Sequence, residues 1–135
     1  VATVDEEDAN GLTPLDTAAE VGNEDIACIL LDKGADVNYV GEKRKITALH
    51  VATYHNQEDM VKLLLDKGVG VNAQDANGHT ALHIAALLNH SSLIPLLLGA
   101  RVDISLKDQR GRTAEQLAMQ SGSDDVVRQF DVLKL

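Results

Sequence analysis

The stretch Thr80-Ala81-Leu82-His83-Ile84-Ala85-Ala86 decides the fold, because the chain repeats it. It stands earlier as Thr13-Pro14-Leu15-Asp16-Thr17-Ala18-Ala19 and as Thr47-Ala48-Leu49-His50-Val51-Ala52-Thr53, and later in degenerate form as Thr113-Ala114-Glu115-Gln116-Leu117-Ala118-Met119. The four threonines are 34, 33 and 33 residues apart. Self-similarity at such a period marks units that bury their apolar faces by stacking on one another. Each threonine sits where an N-cap belongs, its hydroxyl free to satisfy an early helix N–H, and Pro14 falls at the first helical position, where no N–H is needed. The alanines let neighbouring helices approach closely.

Working outward, a second pattern keeps the same period. Asp25-Ile26-Ala27-Cys28-Ile29-Leu30-Leu31-Asp32-Lys33-Gly34 matches Asp59-Met60-Val61-Lys62-Leu63-Leu64-Leu65-Asp66-Lys67-Gly68, with Ser92–Leu98 and Asp125–Phe130 as the third and fourth copies. This reads as a second helix with its Leu/Ile stripe buried. Between the two helices stand Gly22, Asn56, Asn89 and Gly122, the residue types that tolerate a left-handed backbone. Gly34 and Gly68 close the second helix in the same way. Asp8-Ala9-Asn10-Gly11, Asp75-Ala76-Asn77-Gly78 and Asp108-Gln109-Arg110-Gly111 carry turn chemistry and predict hairpins between units.

The period and the Thr-Ala-Leu-His-x-Ala-Ala signature resemble the ankyrin repeat, over essentially the whole chain. The resemblance implies an all-α solenoid of about four helix-turn-helix units with projecting β-hairpin loops, spanning residues 1–135, with repeats near 8–40, 41–74, 75–107 and 108–135. Val1-Ala2-Thr3-Val4-Asp5 aligns with the tail of a preceding unit, so the chain reads as part of a longer protein. Repeat 2 departs from the pattern with one extra residue between Tyr39 and Ile46 and no Asp-x-x-Gly, which predicts a longer, more mobile tip. Arg101 stands where Gly34 and Gly68 stand, which predicts a reshaped corner. The polar last helix fits a C-terminal cap.

Composition narrows the chemistry. Hydrophobic residues make up 44% and aromatic residues 2%, so the core is aliphatic and stacked-ring functions are disfavoured. Twelve basic against 21 acidic residues give a net charge of −9, which disfavours nucleic acid as a partner. Residues 1–36 hold ten acids and one base, and the remaining 99 residues balance. Cys28 is the single cysteine, which excludes an intramolecular disulfide and a cysteine zinc cluster and suits an intracellular setting, cytoplasmic or nuclear. Residues 78–100 lack charge, but His79, His83, Asn89, His90, Ser91 and Ser92 break the apolar runs, so the segment reads as two buried helices and no membrane insertion is expected.

No catalytic or metal constellation emerges, and no cofactor is expected. His50 and His83 occupy the slot whose side chain, by the resemblance, bonds within and between repeats; Asp16 and Gln116 stand there in repeats 1 and 4. His79 precedes the N-cap Thr80, so His79 and His83 do not form a helical ligand face. His55 and His90 read as solvent-facing turn residues, Cys28 as a buried inert thiol, and Asp5–Asp8 as a solvated acidic finger.

The resemblance further implies a non-enzymatic module, a monomeric domain that binds a protein or peptide along a concave groove of fingers and first helices. The alternative is a targeting or regulatory segment of a larger enzyme, channel or adaptor. The matching positions are Asn10, Leu12, Glu20 and Val21 in repeat 1, and Arg44, Ile46, Tyr54 and His55 in repeat 2. Repeat 3 contributes Asn77, His79, Leu87 and Leu88, and repeat 4 contributes Arg110, Arg112, Gln120 and Ser121. Tyr54 and Leu87 follow the paired small residues of the first helix and are the expected apolar anchors; the competing reading turns Leu87 or Leu88 inward between repeats. The fingers run from acidic (Glu6, Glu7, Asp8) to basic (Lys43, Arg44, Lys45, Lys107, Arg110, Arg112), which favours a ligand charged oppositely at its two ends. Asn72 resembles the hairpin asparagine that intracellular hydroxylases modify in ankyrin proteins.

Overall fold

The computed structural model describes residues 4–135. Among them eight α-helices pair off in chain order: α1 (Pro14–Val21) with α2 (Glu24–Asp32), α3 (Ala48–Tyr54) with α4 (Glu58–Asp66), α5 (Ala81–Leu87) with α6 (Ile94–Gly99), and α7 (Ala114–Ser121) with α8 (Asp124–Val132). The first helices α1, α3, α5 and α7 contact one another in series, which is the packing of a solenoid.

Each first helix starts on its threonine by one reciprocal device. The threonine hydroxyl accepts from the backbone N–H three residues on, and the side chain at that residue accepts from the threonine N–H. Asp16, His50, His83 and Gln116 all do this, so three different residue types satisfy the same two orphan donors. The alanines then set the spacing. Ala19, Ala52, Ala85, Ala86 and Ala118 are wholly buried, and Leu49 and Leu82 fill the space beside them. On the second helices Met60, Leu64, Leu97, Val126 and Phe130 close the core, joined by Leu93 just ahead of α6. Burying each such side chain contributes about 1.5–3 kcal/mol. Pro95 lies in the first turn of α6, and the preceding Ser91–Leu93 forms a short 3₁₀ turn that leads into it.

Several expectations are corrected. Among the described residues none lies in a β-strand; the fingers are tight turns without a ladder. In each Asp-x-x-Gly turn the aspartate Oδ1 accepts from the N–H groups two and four residues on, and its own N–H donates to the carbonyl four residues on, which closes the loop in so few residues that no strand is needed. Arg101 does not reshape its corner: it takes the left-handed backbone at φ 63°, as Gly34 and Gly68 do at 98° and 82°. The repeat 2 tip is longer by one residue, as its sequence predicts: the Gly41 N–H donates to the Ile46 carbonyl five residues on, and Lys45 takes the left-handed backbone at φ 58°.

Cys28 is half-buried, because Ala27 takes the inward position and Cys28 lies about 100° further round the helix. The Leu/Ile stripe of α2 is also not buried throughout, since Ile26 and Ile29 are 48% and 52% exposed. His90 is half-buried, with Nε2 3.2 Å from the Tyr54 carbonyl of the preceding repeat. Within the acidic finger Glu7 is tied down: Tyr39 Oη donates to it at 2.7 Å and the Glu42 N–H at 3.2 Å, which lowers its carboxyl.

Val1, Ala2 and Thr3 of the leading segment lie outside the described residues. Asp5, which belongs to that segment, accepts from the Asp36 N–H at 3.1 Å. Asn38 accepts likewise from Gly70 at 2.6 Å and Asn72 from Asp103 at 2.8 Å, so one side-chain bond ties successive units together at the base of the fingers.

Candidate functional site

The flank formed by the fingers and the first helices carries the candidate residues. Their exposure follows from the capping geometry: once the small residues at 52–53 and 85–86 face the core, the next residue turns outward. Tyr54 is 59% exposed and Leu87 and Leu88 are 40% and 37% exposed, so the leucines do not turn inward. Val21 is 67% exposed in the matching place of repeat 1. Asn10, Arg44, His55, Asn77, Arg110, Gln120 and Ser121 are exposed, while Leu12, Glu20, Ile46, His79 and Arg112 are half-buried.

Six of these side chains converge. Leu12, Glu20, Arg44, Ile46, Tyr54 and His55 line a cleft of about 320 Å³ together with His50, Val51, Asp75 and Ile84. Its floor is apolar, from Leu12, Ile46, Val51 and Ile84; Tyr54 is one wall. Polar groups sit at the rim. Glu20 approaches His55 Nε2 at 4.0 Å, and the Tyr54 ring meets the His55 ring edge-on at 5.2 Å. Arg44 makes no ion pair among the described residues. The resulting surface can bury an apolar side chain and hold polar or charged groups on either side of it.

A second, more polar depression of about 310 Å³ gathers Asn77, His79, Arg110 and Arg112 around Asp108 and Gln109. Asp108 is its centre. Burial pushes this carboxyl up, but the Arg112 and Arg110 N–H groups and the Arg112 guanidinium outweigh burial and hold it at about 2. Arg112 reaches it at 3.0 Å through both Nε and Nη2, and His79 Nε2 lies 3.2 Å away. Arg112 Nη1 also donates to Gln120 Oε1 at 3.0 Å. These side chains are therefore largely engaged with one another. Asn10, Leu87, Leu88 and Gln120 line neither cavity.

The floor residues Val51 and Ile84 escaped sequence reasoning, because they occupy the variable place of the Thr-Ala-Leu-His-x-Ala pattern, where residue type alone does not separate core from surface. They are 7% and 8% exposed, buried yet reaching the surface at one edge. His50 and His83 join the units beneath the cleft. Nδ1 of each accepts from its own threonine N–H, and Nε2 lies 3.0 Å from the His79 carbonyl or 2.9 Å from the Arg112 carbonyl of the next finger. That arrangement calls for the neutral Nε2–H imidazole, and burial lowers both histidines. Asn72 is exposed, with Oδ1 engaged by the Asp103 N–H. Among the described residues no three His, Cys, Asp or Glu side chains are placed to hold a metal ion, and no helix is long and apolar enough to cross a membrane.

A family model described as ankyrin repeats in three copies matches residues 49–130, and a second, described as ankyrin repeats in many copies, matches residues 15–65. A comparison with curated proteins found no significant match. The stacked helix pairs, the shared capping device and a match over more than half of the sequence lead to one assignment: the chain belongs to the ankyrin repeat family.

Proposed function

We propose that this chain is a non-enzymatic binding module that captures a protein or peptide through the cleft that spans repeats 1 to 3 and the apolar row continuing to Leu87. Ankyrin repeats are generally protein-interaction modules, and the partner here is the finer claim. The observation that carries it is Tyr54: a large side chain, 59% exposed, standing over an apolar floor on a rigid helix. A monomer in water gains nothing from that exposure, whereas a partner side chain seated on Leu12, Ile46, Val51 and Ile84 would bury both surfaces. Arg44 and Glu20 at the rim would orient the ligand rather than supply most of its affinity. The cleft is preformed, so little ordering cost opposes binding.

The test is a Tyr54→Glu/Leu87→Glu variant compared with wild type in affinity capture from cell lysate. Specific partners should be lost, while helical circular dichroism and the melting temperature stay within about 2 °C, since neither side chain supports the core. Equal capture by both proteins would move the binding surface elsewhere, and collapse of the fold would make these residues structural.

A further inference from the structure

Neighbouring fingers are tied to each other at their tips, except in the middle of the row. Between the first two, Glu7 accepts from the Tyr39 hydroxyl and the Glu42 N–H, and Lys43 Nζ donates to the Ala9 carbonyl at 3.2 Å. Between the last two, Gln74 Nε2 donates to the Lys107 carbonyl at 3.0 Å and Gln109 Nε2 to the Ala76 carbonyl at 2.6 Å, while the Gln109 N–H reaches the Asn77 carbonyl at 3.0 Å. Among the described residues no hydrogen bond or ion pair joins the repeat 2 tip, residues 40–46, to the repeat 3 tip, residues 74–78. The sequence explains the gap. Val40 stands where Glu7 and Gln74 make their ties, and Ala76 stands where Gln109 does, and neither side chain can hydrogen-bond. Val40 is accordingly 46% exposed. Deeper in the molecule the same two units are held by Asn38 on the Gly70 N–H and by His50 on the His79 carbonyl, so the seam lies over a fixed base.

The apolar cleft spans this seam, taking Arg44 and Ile46 from the repeat 2 finger and Asp75 from the repeat 3 finger. Two opposite charges thus face one cleft, and neither is neutralised within the protein. Arg44 makes no ion pair among the described residues. Asp75 spends Oδ1 on the Asn77 and His79 N–H groups and leaves Oδ2 without a partner among the described residues, whereas Asp108 in the matching place has Oδ2 closed by Arg112. The remaining charged groups of the cleft, Glu20 and His55, face each other at 4.0 Å. We infer that the seam admits a linear peptide that lays an apolar side chain on the cleft floor, flanked by a carboxylate for Arg44 and a cationic side chain for Asp75. This rests on the cleft being the binding surface and adds the chemistry of its ligand. Charge selects that ligand: a segment of one sign would satisfy one of the two groups and oppose the other. The planar fork of Arg44 suits a carboxylate through two parallel hydrogen bonds. The cleft, about 320 Å³, lies at the low end of the range of about 300–1,000 Å³ for ligand sites and takes a side chain rather than a folded element. With no tip bond to break, the peptide enters without costing the protein a contact of its own.

The experiment pans a phage-displayed library of random linear peptides against wild type, Arg44→Glu, Asp75→Asn and Tyr54→Glu/Leu87→Glu. Asp75→Asn keeps the Oδ1 acceptor that closes its turn and removes only the charge, so the finger stays folded. Wild type should enrich sequences that carry an acid, an apolar residue and a base in a constant order. A synthetic peptide of the leading sequence, titrated by fluorescence polarisation, should bind Arg44→Glu about tenfold more weakly, and exchanging its acid for lysine should restore binding to that variant. Asp75→Asn should weaken binding about threefold or more and abolish the preference at the basic position alone. Enriched peptides that need Tyr54 and Leu87 but carry charge of one sign, no charge preference, or a preference that neither finger variant shifts would overturn the inference and leave the cleft as the binding surface. No enrichment, or enrichment undiminished in Tyr54→Glu/Leu87→Glu, would remove both.

Discussion

His50 and His83 each do two jobs with one imidazole, capping their own helix through Nδ1 and holding the next finger through Nε2. Both jobs need the neutral ring, and burial lowers both histidines from the ordinary value of 6.5. As pH falls, the unfolded imidazoles take up protons first, so the unfolded state gains. The stability contributed by these residues is complete above about pH 6.5 and is lost as pH falls through that value toward the depressed folded one. Asp16, the counterpart in repeat 1, has the opposite sign. Burial raises its carboxyl, so its contribution is present below the ordinary 3.8 and is lost as pH rises through the raised value. Urea midpoints measured from about pH 7.5 to about pH 5 should fall for wild type and fall less for His50→Gln/His83→Gln. The glutamine variant keeps the cap, as Gln116 does, whereas His83→Ala strands the Thr80 N–H and the Arg112 carbonyl and should cost about 1–3 kcal/mol.

At the scale of the element, the helix ends explain why so much was legible in advance. A threonine cap, a left-handed glycine or asparagine and an Asp-x-x-Gly turn are local chemistry, and Thr13, Asn56, Gly122 and Asp108 each behave as their residue types require. Arg101 shows the same rule under strain. It holds φ at 63° because the chain must turn there, at a cost of roughly 1 kcal/mol relative to glycine. Arg101→Gly should therefore raise the melting temperature by about 3–5 °C in calorimetry, and an unchanged or lower value would mean the arginine gains elsewhere what its backbone loses. What the sequence left open was non-local. Ile26 and Met60 occupy one place in the repeat, and only the presence of a neighbouring unit separates exposed from buried. Cys28 and Ala27 differ by one step of helix phase. Tyr54 was legible as an outward residue because the small pair before it fixes which way the helix faces; the cleft floor was not, because Val51 and Ile84 serve core and surface at once.

Across the whole molecule, stability is uneven because it resides in interfaces. The helix pairs of repeats 2 and 3 are covered on both sides, while the outer pairs are covered on one. The two ends are also unlike each other. Repeat 1 leaves Ile26 and Ile29 open and lies in the acidic first 36 residues, where Glu24 and Asp25 favour the start of α2 but Asp32 opposes its end. Repeat 4 closes its apolar side on Val126 and Phe130 and pairs Arg128 with Asp125 on its surface. Fraying should begin at both ends, with the α1–α2 end weakened further by repulsion among its own charges. Added salt screens that repulsion, since the screening length falls from about 30 Å at 0.01 M to about 3 Å at 1 M. In hydrogen exchange read by mass spectrometry, α3 and α5 should be the slowest helices and α2 and α8 the fastest. Raising ionic strength should slow α2 more than α8. Equal slowing at the two ends would show that missing neighbours alone, rather than the concentration of acid in repeat 1, set the order of opening.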